Sequence, residues 1–192
     1  EAELSAPQKA RATAIGAMLL NLEEQYDQAI QLADKALALN ADDVWALQAR
    51  ANALALKKDP GAAAAYEAVV TKSTSSPAFY FEGAANLQKA GNNDAAMGLL
   101  ARYENTFKSV KNATADGKDE VYLDRDDRYW LARGEILKAM GKQDEAMTAF
   151  DKAIETAMAY MEKKDPGLKN TLIVVTADHD HNMVFNGYSK LG

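Results

Sequence analysis

Apolar positions in this chain recur at helical spacing, and the helical stripes themselves recur. Thr13, Gly16, Ala17 and Leu20 follow an i, i+3, i+4, i+7 pattern, and Ala29, Ile30, Ala33, Ala36 and Leu37 form a second stripe just after it. The same pair of stripes returns further along. Leu20, Leu54, Leu87 and Leu137 stand 34, 33 and 50 residues apart. A small residue lies three positions before each of them (Ala17, Ala51, Ala84, Gly134), and an alanine lies nine positions after each (Ala29, Ala63, Ala96, Ala146). Three columns moving in register mark an internal repeat of helical hairpins, with an insertion in the last and longest interval.

The residue types in those columns fit two antiparallel helices packed closely. Small side chains on facing stripes let the backbones approach, and leucine and isoleucine fill the space around them. The fourth unit is the clearest, with Trp130, Gly134, Leu137, Gly141, Ala146, Phe150 and Ala153 on its stripes. Gly91 and Gly141 stand where a helix should end, since glycine readily takes the left-handed turn conformation. Units begin near residues 10, 44, 77 and 127. The second departs most from the pattern, with Lys58 where a glycine is usual, Glu67 where an apolar residue is usual, and Asp59-Pro60 opening its second helix. Lys108 to Glu120 is polar and reads as a loop that either interrupts the stack or lengthens the helix before it.

In spacing and residue types, residues 10–155 resemble the tetratricopeptide repeat (TPR) family. The resemblance implies an all-α fold: a right-handed superhelix of antiparallel hairpins over residues 1–162, an α-solenoid followed by a short strand or irregular tail over 163–192. It also implies a groove, lined by the first helix of each unit, that binds an extended peptide or a partner subunit. On the pattern the groove candidates are Trp45, Gln48, Asn52, Phe81, Gln88, Glu135 and Lys138, with packing between hairpins as the other reading for Trp45 and Phe81. Chaperone-binding members of that family grip a terminal carboxylate with lysine, arginine and asparagine. Here the matching positions hold Ala14, Met18, Gln48 and Phe81, and only Asn52 fits. That clamp is absent. Assembly with like copies is a further expectation.

Charge narrows the partner. A formal charge of -6 leaves no basic surplus for a phosphate backbone, so nucleic acid is not expected. Cysteine is absent, which removes disulfides and thiolate chemistry. No apolar run approaches the ~20 residues of a membrane-spanning helix. The chain opens on Glu1 rather than methionine, which points to removal of a signal peptide, a tag or part of a longer parent, and a periplasmic or exported bacterial protein is the expectation.

The tail follows a different pattern. Lys163-Lys164-Asp165-Pro166-Gly167 ends a helix. Thr171 to Thr176 is a β-branched run that reads as a buried strand, with Leu172 to Val175 pairing with another chain, packing on the helices or staying irregular. Asp178, His179, Asp180 and His181 follow at once, and both histidines of the chain are among them. Imidazole and carboxylate together suit zinc. A solvated polar turn is the alternative.

The stretch from Thr171 to His181 resembles the alkaline phosphatase signature beside that family's metal centre. The resemblance implies that Asp178 and His179 ligate zinc while His181 lies close by. Other parts of such a site are missing: the chain has no Asp-Ser-Ala triplet for the nucleophile and no histidine before His179 for a second zinc. Two readings therefore stand, a protein-binding scaffold without a cofactor and part of a zinc-dependent phosphomonoesterase.

Overall fold

The computed structural model describes residues 4–113, 119–121 and 126–174. Eight helices among them form four antiparallel hairpins. The first helix of each hairpin is α1 (Ala6–Leu22), α3 (Val44–Leu56), α5 (Pro77–Lys89) or α7 (Asp127–Ala139). The second is α2 (Tyr26–Leu39), α4 (Ala62–Lys72), α6 (Asn93–Phe107) or α8 (Gln143–Lys164). The first helices pack side by side in chain order, α1 on α3, α3 on α5 and α5 on α7, which makes the chain a TPR-like helical solenoid.

Local sequence explains where the helices start and stop. At the head of α1, the Ser5 N–H donates to Gln8 Oε1 at 2.8 Å, and Pro7 occupies the first turn. Asp43 caps α3, its Oδ1 accepting the N–H groups of Trp45 and Ala46 at 3.1 and 3.0 Å. All four hairpin turns share one device. The carbonyls of Leu20, Leu54, Leu87 and Leu137 accept the N–H five residues on, at 2.9, 2.8, 2.8 and 2.9 Å. This closure requires a left-handed residue just past the helix, and those residues are Glu24, Lys58, Gly91 and Gly141, with φ of 60°, 57°, 83° and 77°. The second unit thus makes the same turn as its neighbours, with a lysine in place of the glycine.

The core changes character along the stack. Between the first two hairpins it is alanine: Ala14, Ala36 and Ala46 form one buried cluster, and Ala17, Ala33 and Ala49 another. From the second hairpin onward it contains fully buried tyrosines, Tyr66, Tyr80, Tyr103 and Tyr129, packed with Leu87, Leu99 and Leu100. Close approach within a hairpin is tightest at Gly134, where an added Cβ would lie 2.5 Å from the Phe150 ring.

Two expectations are corrected. The polar insertion is neither an open loop nor an extension of α6, which ends at Phe107. It carries a short antiparallel ribbon, β1 (Lys111–Ala113) with β2 (Asp119–Val121), in the register Asn112 to Glu120. The run from Thr171 also departs from the buried strand expected there. Residues 171–174 join no ladder, and Leu172 and Val174 are 83% and 67% exposed. A strand needs a partner edge, and this run pairs with neither β1 nor β2. Before this run, Asp165 ties off the end of α8 by accepting the Thr171 hydroxyl at 2.8 Å and the Asn170 N–H at 2.7 Å. Those bonds, the Thr171 hydroxyl first, hold its carboxyl below the usual range.

Candidate functional site

A polar network crosses the seam between α3 and α5. Asn52 is its hub. Its Oδ1 accepts from Gln48 Nε2 at 3.1 Å, from the Tyr66 hydroxyl at 2.7 Å and from Asn86 Nδ2 at 3.2 Å. Its Nδ2 donates to Glu82 Oε1 at 2.7 Å, and Asn86 Nδ2 also donates to the Tyr66 hydroxyl at 2.9 Å. Gln48 and Asn52 meet because they are four residues apart on one helix face. Asn52 and Asn86 meet because α3 and α5 pack side by side, although the two are one residue out of step with the 33-residue interval from Leu54 to Leu87. Burial, aided by the nearby Glu82 charge and opposed by Asn86, pushes the Tyr66 phenol well above its ordinary range and keeps it a neutral donor. One atom of this network has nothing to bond. Gln48 is 1% exposed, and its Oε1 has no hydrogen-bond partner.

A second seam joins α5, α6 and α7 through aromatic rings. The Phe81 ring lies 4.8 Å from that of Tyr103, and the Arg128 guanidinium sits 5.3 Å from the centre of Phe81. Arg128 Nε donates to Asp126 at 3.0 Å, and the same carboxylate accepts the Tyr103 hydroxyl. Tyr129 donates to Glu104 Oε2 at 2.7 Å and accepts from Arg133 at 3.2 Å. Burial first, and the bond to Glu104 next, raise its phenol to about 12.

Gln48 is buried in the first seam and Asn52 half-buried at its centre. Phe81 is half-buried in the aromatic seam. Trp45, two turns before Asn52 on α3, is 41% exposed with the Arg11 guanidinium 5.5 Å above its ring. Gln88 is half-buried on α5, and Glu135 and Lys138 are exposed on α7. The structure therefore brings Gln48 and Asn52 together with Tyr66, Glu82 and Asn86, three residues that sequence reasoning missed. The repeat interval gave no signal for Asn86, which matches Ala53 rather than Asn52. Asp178, His179 and His181 lie outside the described residues. Among the described residues, no group of three or more histidine, aspartate or glutamate side chains is placed to hold a metal ion. No helix among them is long and apolar enough to cross a membrane.

Comparison with known proteins gives two kinds of likeness. The crystal structure of a MamA protein superposes with a TM-score of 0.55 at 17% identity, covering 86% of this chain and 82% of that one. A structure titled MamA RS-1 ArsTM double mutant gives the same TM-score at 14% identity, covering 79% and 76%. These likenesses bear out the TPR-like solenoid. A family model described as alkaline phosphatase matches residues 134–192, which run from within α7 through α8 into the tail. No curated protein matches the chain.

Proposed function

We propose that the chain is a protein-interaction scaffold holding an extended peptide or a segment of a partner protein along its row of first helices. The Gln48–Asn52–Asn86 seam is the anchor. The observation that carries this reading is the cluster of Asn52, Glu82 and Asn86, which reaches solvent between α3 and α5 and can exchange hydrogen bonds with a peptide backbone. Trp45 and Phe81 supply apolar contact on either side of the seam. Gln88, Glu135 and Lys138 extend the surface with polar groups, and no cofactor is required.

Selection of a displayed random peptide library against the chain tests the reading. Selected peptides should bind the Asn52→Leu, Asn86→Leu double variant at least ~10-fold more weakly, as expected for loss of one or two hydrogen bonds, with helical content unchanged. A selection without binders, or binders indifferent to both substitutions, would refute it.

The match of residues 134–192 to alkaline phosphatase favours a second reading, in which Asp178 and His179, with His181 near them, hold zinc in a phosphomonoesterase. The donor set does not fit a complete site. Two-metal phosphoryl transfer needs a second ligand set and a nucleophile, and this sequence offers neither an Asp-Ser-Ala triplet nor a further histidine. Zinc content, together with hydrolysis of an aryl phosphate, separates the two readings.

A further inference from the structure

Charge is matched unevenly along the row of first helices. Two arginines there lie against aromatic rings, and each is tied to a carboxylate inside the protein. Arg11 Nε donates to Asp43 at 3.0 Å beside Trp45, and Arg128 Nε donates to Asp126 at 3.0 Å beside Phe81. Asp43 and Asp126 are 2% and 4% exposed. Both positive charges are thus balanced internally, by one buried carboxylate each.

Glu82 is the opposite case. It lies on α5, an interior helix with hairpins packed before and after it, and its side chain is exposed at the seam with α3. Its Oε1 accepts from Asn52 Nδ2 at 2.7 Å, and among the described residues no lysine or arginine pairs with it. The cations of α3, α4 and α6 bond other carboxylates: Arg50 to Asp34, Lys72 to Asp42 and Arg102 to Glu67. The network also leaves a neutral acceptor open. Asn86 spends both N–H groups, on Asn52 Oδ1 at 3.2 Å and on the Tyr66 hydroxyl at 2.9 Å. Its own Oδ1 accepts nothing among the described residues and, unlike Gln48 Oε1, is not sealed from solvent. Glu82 and Asn86 are four residues apart on one face of α5 and bond the same Asn52 side chain, so their open oxygens share one small patch.

Two open acceptors, one of them charged, call for a cation with several N–H groups. A guanidinium is such a group: its planar fork sets two N–H groups on a carboxylate and keeps others for a nearby carbonyl. An ammonium has the charge without the fork. We infer that the peptide held in this groove presents an arginine to Glu82, its guanidinium paired with the carboxylate and donating to Asn86 Oδ1. This rests on the groove reading and adds the chemistry of the partner to it. An acidic peptide would gain little from Arg11 and Arg128, which are already matched, and would meet Glu82 with like charge.

The test selects the random peptide library in parallel against the parent chain and Glu82→Gln. Glutamine keeps the oxygen that Asn52 bonds, so helical content and melting temperature should be unchanged. Peptides selected on the parent should share an arginine at one fixed position, and those selected on Glu82→Gln should lack it. A parent-selected peptide resynthesised with citrulline, the neutral isostere of arginine, should bind the parent about 10-fold more weakly, as expected for loss of a charge-assisted hydrogen bond. Glu82→Gln should weaken the arginine peptide by a similar factor and leave the citrulline peptide unaffected. Asp151→Asn removes an exposed carboxylate from α8 and should change affinity less than ~2-fold, which separates a local pair from general attraction. Binders that need Asn52 and Asn86 but carry no fixed arginine, or that ignore Glu82→Gln, overturn this inference and leave the groove reading standing. A lysine peptide that binds as well as the arginine one overturns it too, as does an Asp151→Asn loss equal to that of Glu82→Gln. A library without binders, or binders indifferent to the Asn52→Leu, Asn86→Leu pair, removes the groove reading and this inference with it.

Discussion

Four residues set the hairpin turns, and two of them are not glycine. Glu24 and Lys58 hold φ near 60°, a region in which a Cβ crowds its own backbone. The neighbouring turns use Gly91 and Gly141 for the same closure. Lys58→Gly should therefore stabilise the fold by about 0.5–1 kcal/mol, read as a rise in the urea midpoint with an unchanged slope. An unchanged or lower midpoint would mean that the lysine has a compensating contact in its turn. The sequence showed glycine where the turn is cheapest and hid the turn where lysine or glutamate adopts it. A left-handed residue is dictated by the five-residue closure onto leucine, and that closure is a property of the backbone rather than of side-chain type.

At the scale of elements, the buried centre of the interface between the first two hairpins is alanine, with Met18, Leu32 and Leu37 packed around it. Ala49 meets Ala17 and Ala33 with no exposed surface at any of the three. A larger side chain there has to push α3 away from α1 and α2. Ala49→Leu should cost about 1–3 kcal/mol, seen in thermal or urea unfolding, even though it adds apolar surface. Helix identity and order were legible because the 3.6-residue stripes and the repeated leucine column both depend on local chain geometry. The β1–β2 ribbon was not, because three residues per strand carry too little alternation to stand out from polar sequence. The candidate site was half legible. Gln48 and Asn52 are visible as an i, i+4 pair on one helix, but Tyr66 and Glu82 reach them only through packing between different helices, which no one-dimensional pattern records.

For the molecule as a whole, each hairpin relies on its neighbours, so stability is distributed as a sum of units and junctions rather than held in one centre. The alanine-packed junction offers little area per residue, while the later hairpins share a continuous cluster of leucine and tyrosine. That asymmetry has a spectroscopic consequence. The fully buried rings of Tyr66, Tyr80, Tyr103 and Tyr129 all lie in the last three hairpins, while the first holds only half-buried Tyr26, so near-ultraviolet dichroism weights the later hairpins most heavily. Backbone ellipticity counts every helix equally. On heating, the far-ultraviolet signal should begin to fall several degrees before the near-ultraviolet one, as the first hairpin peels away while the tyrosines stay fixed. Coincident curves would mean that the alanine-centred junction binds as firmly as the aromatic one.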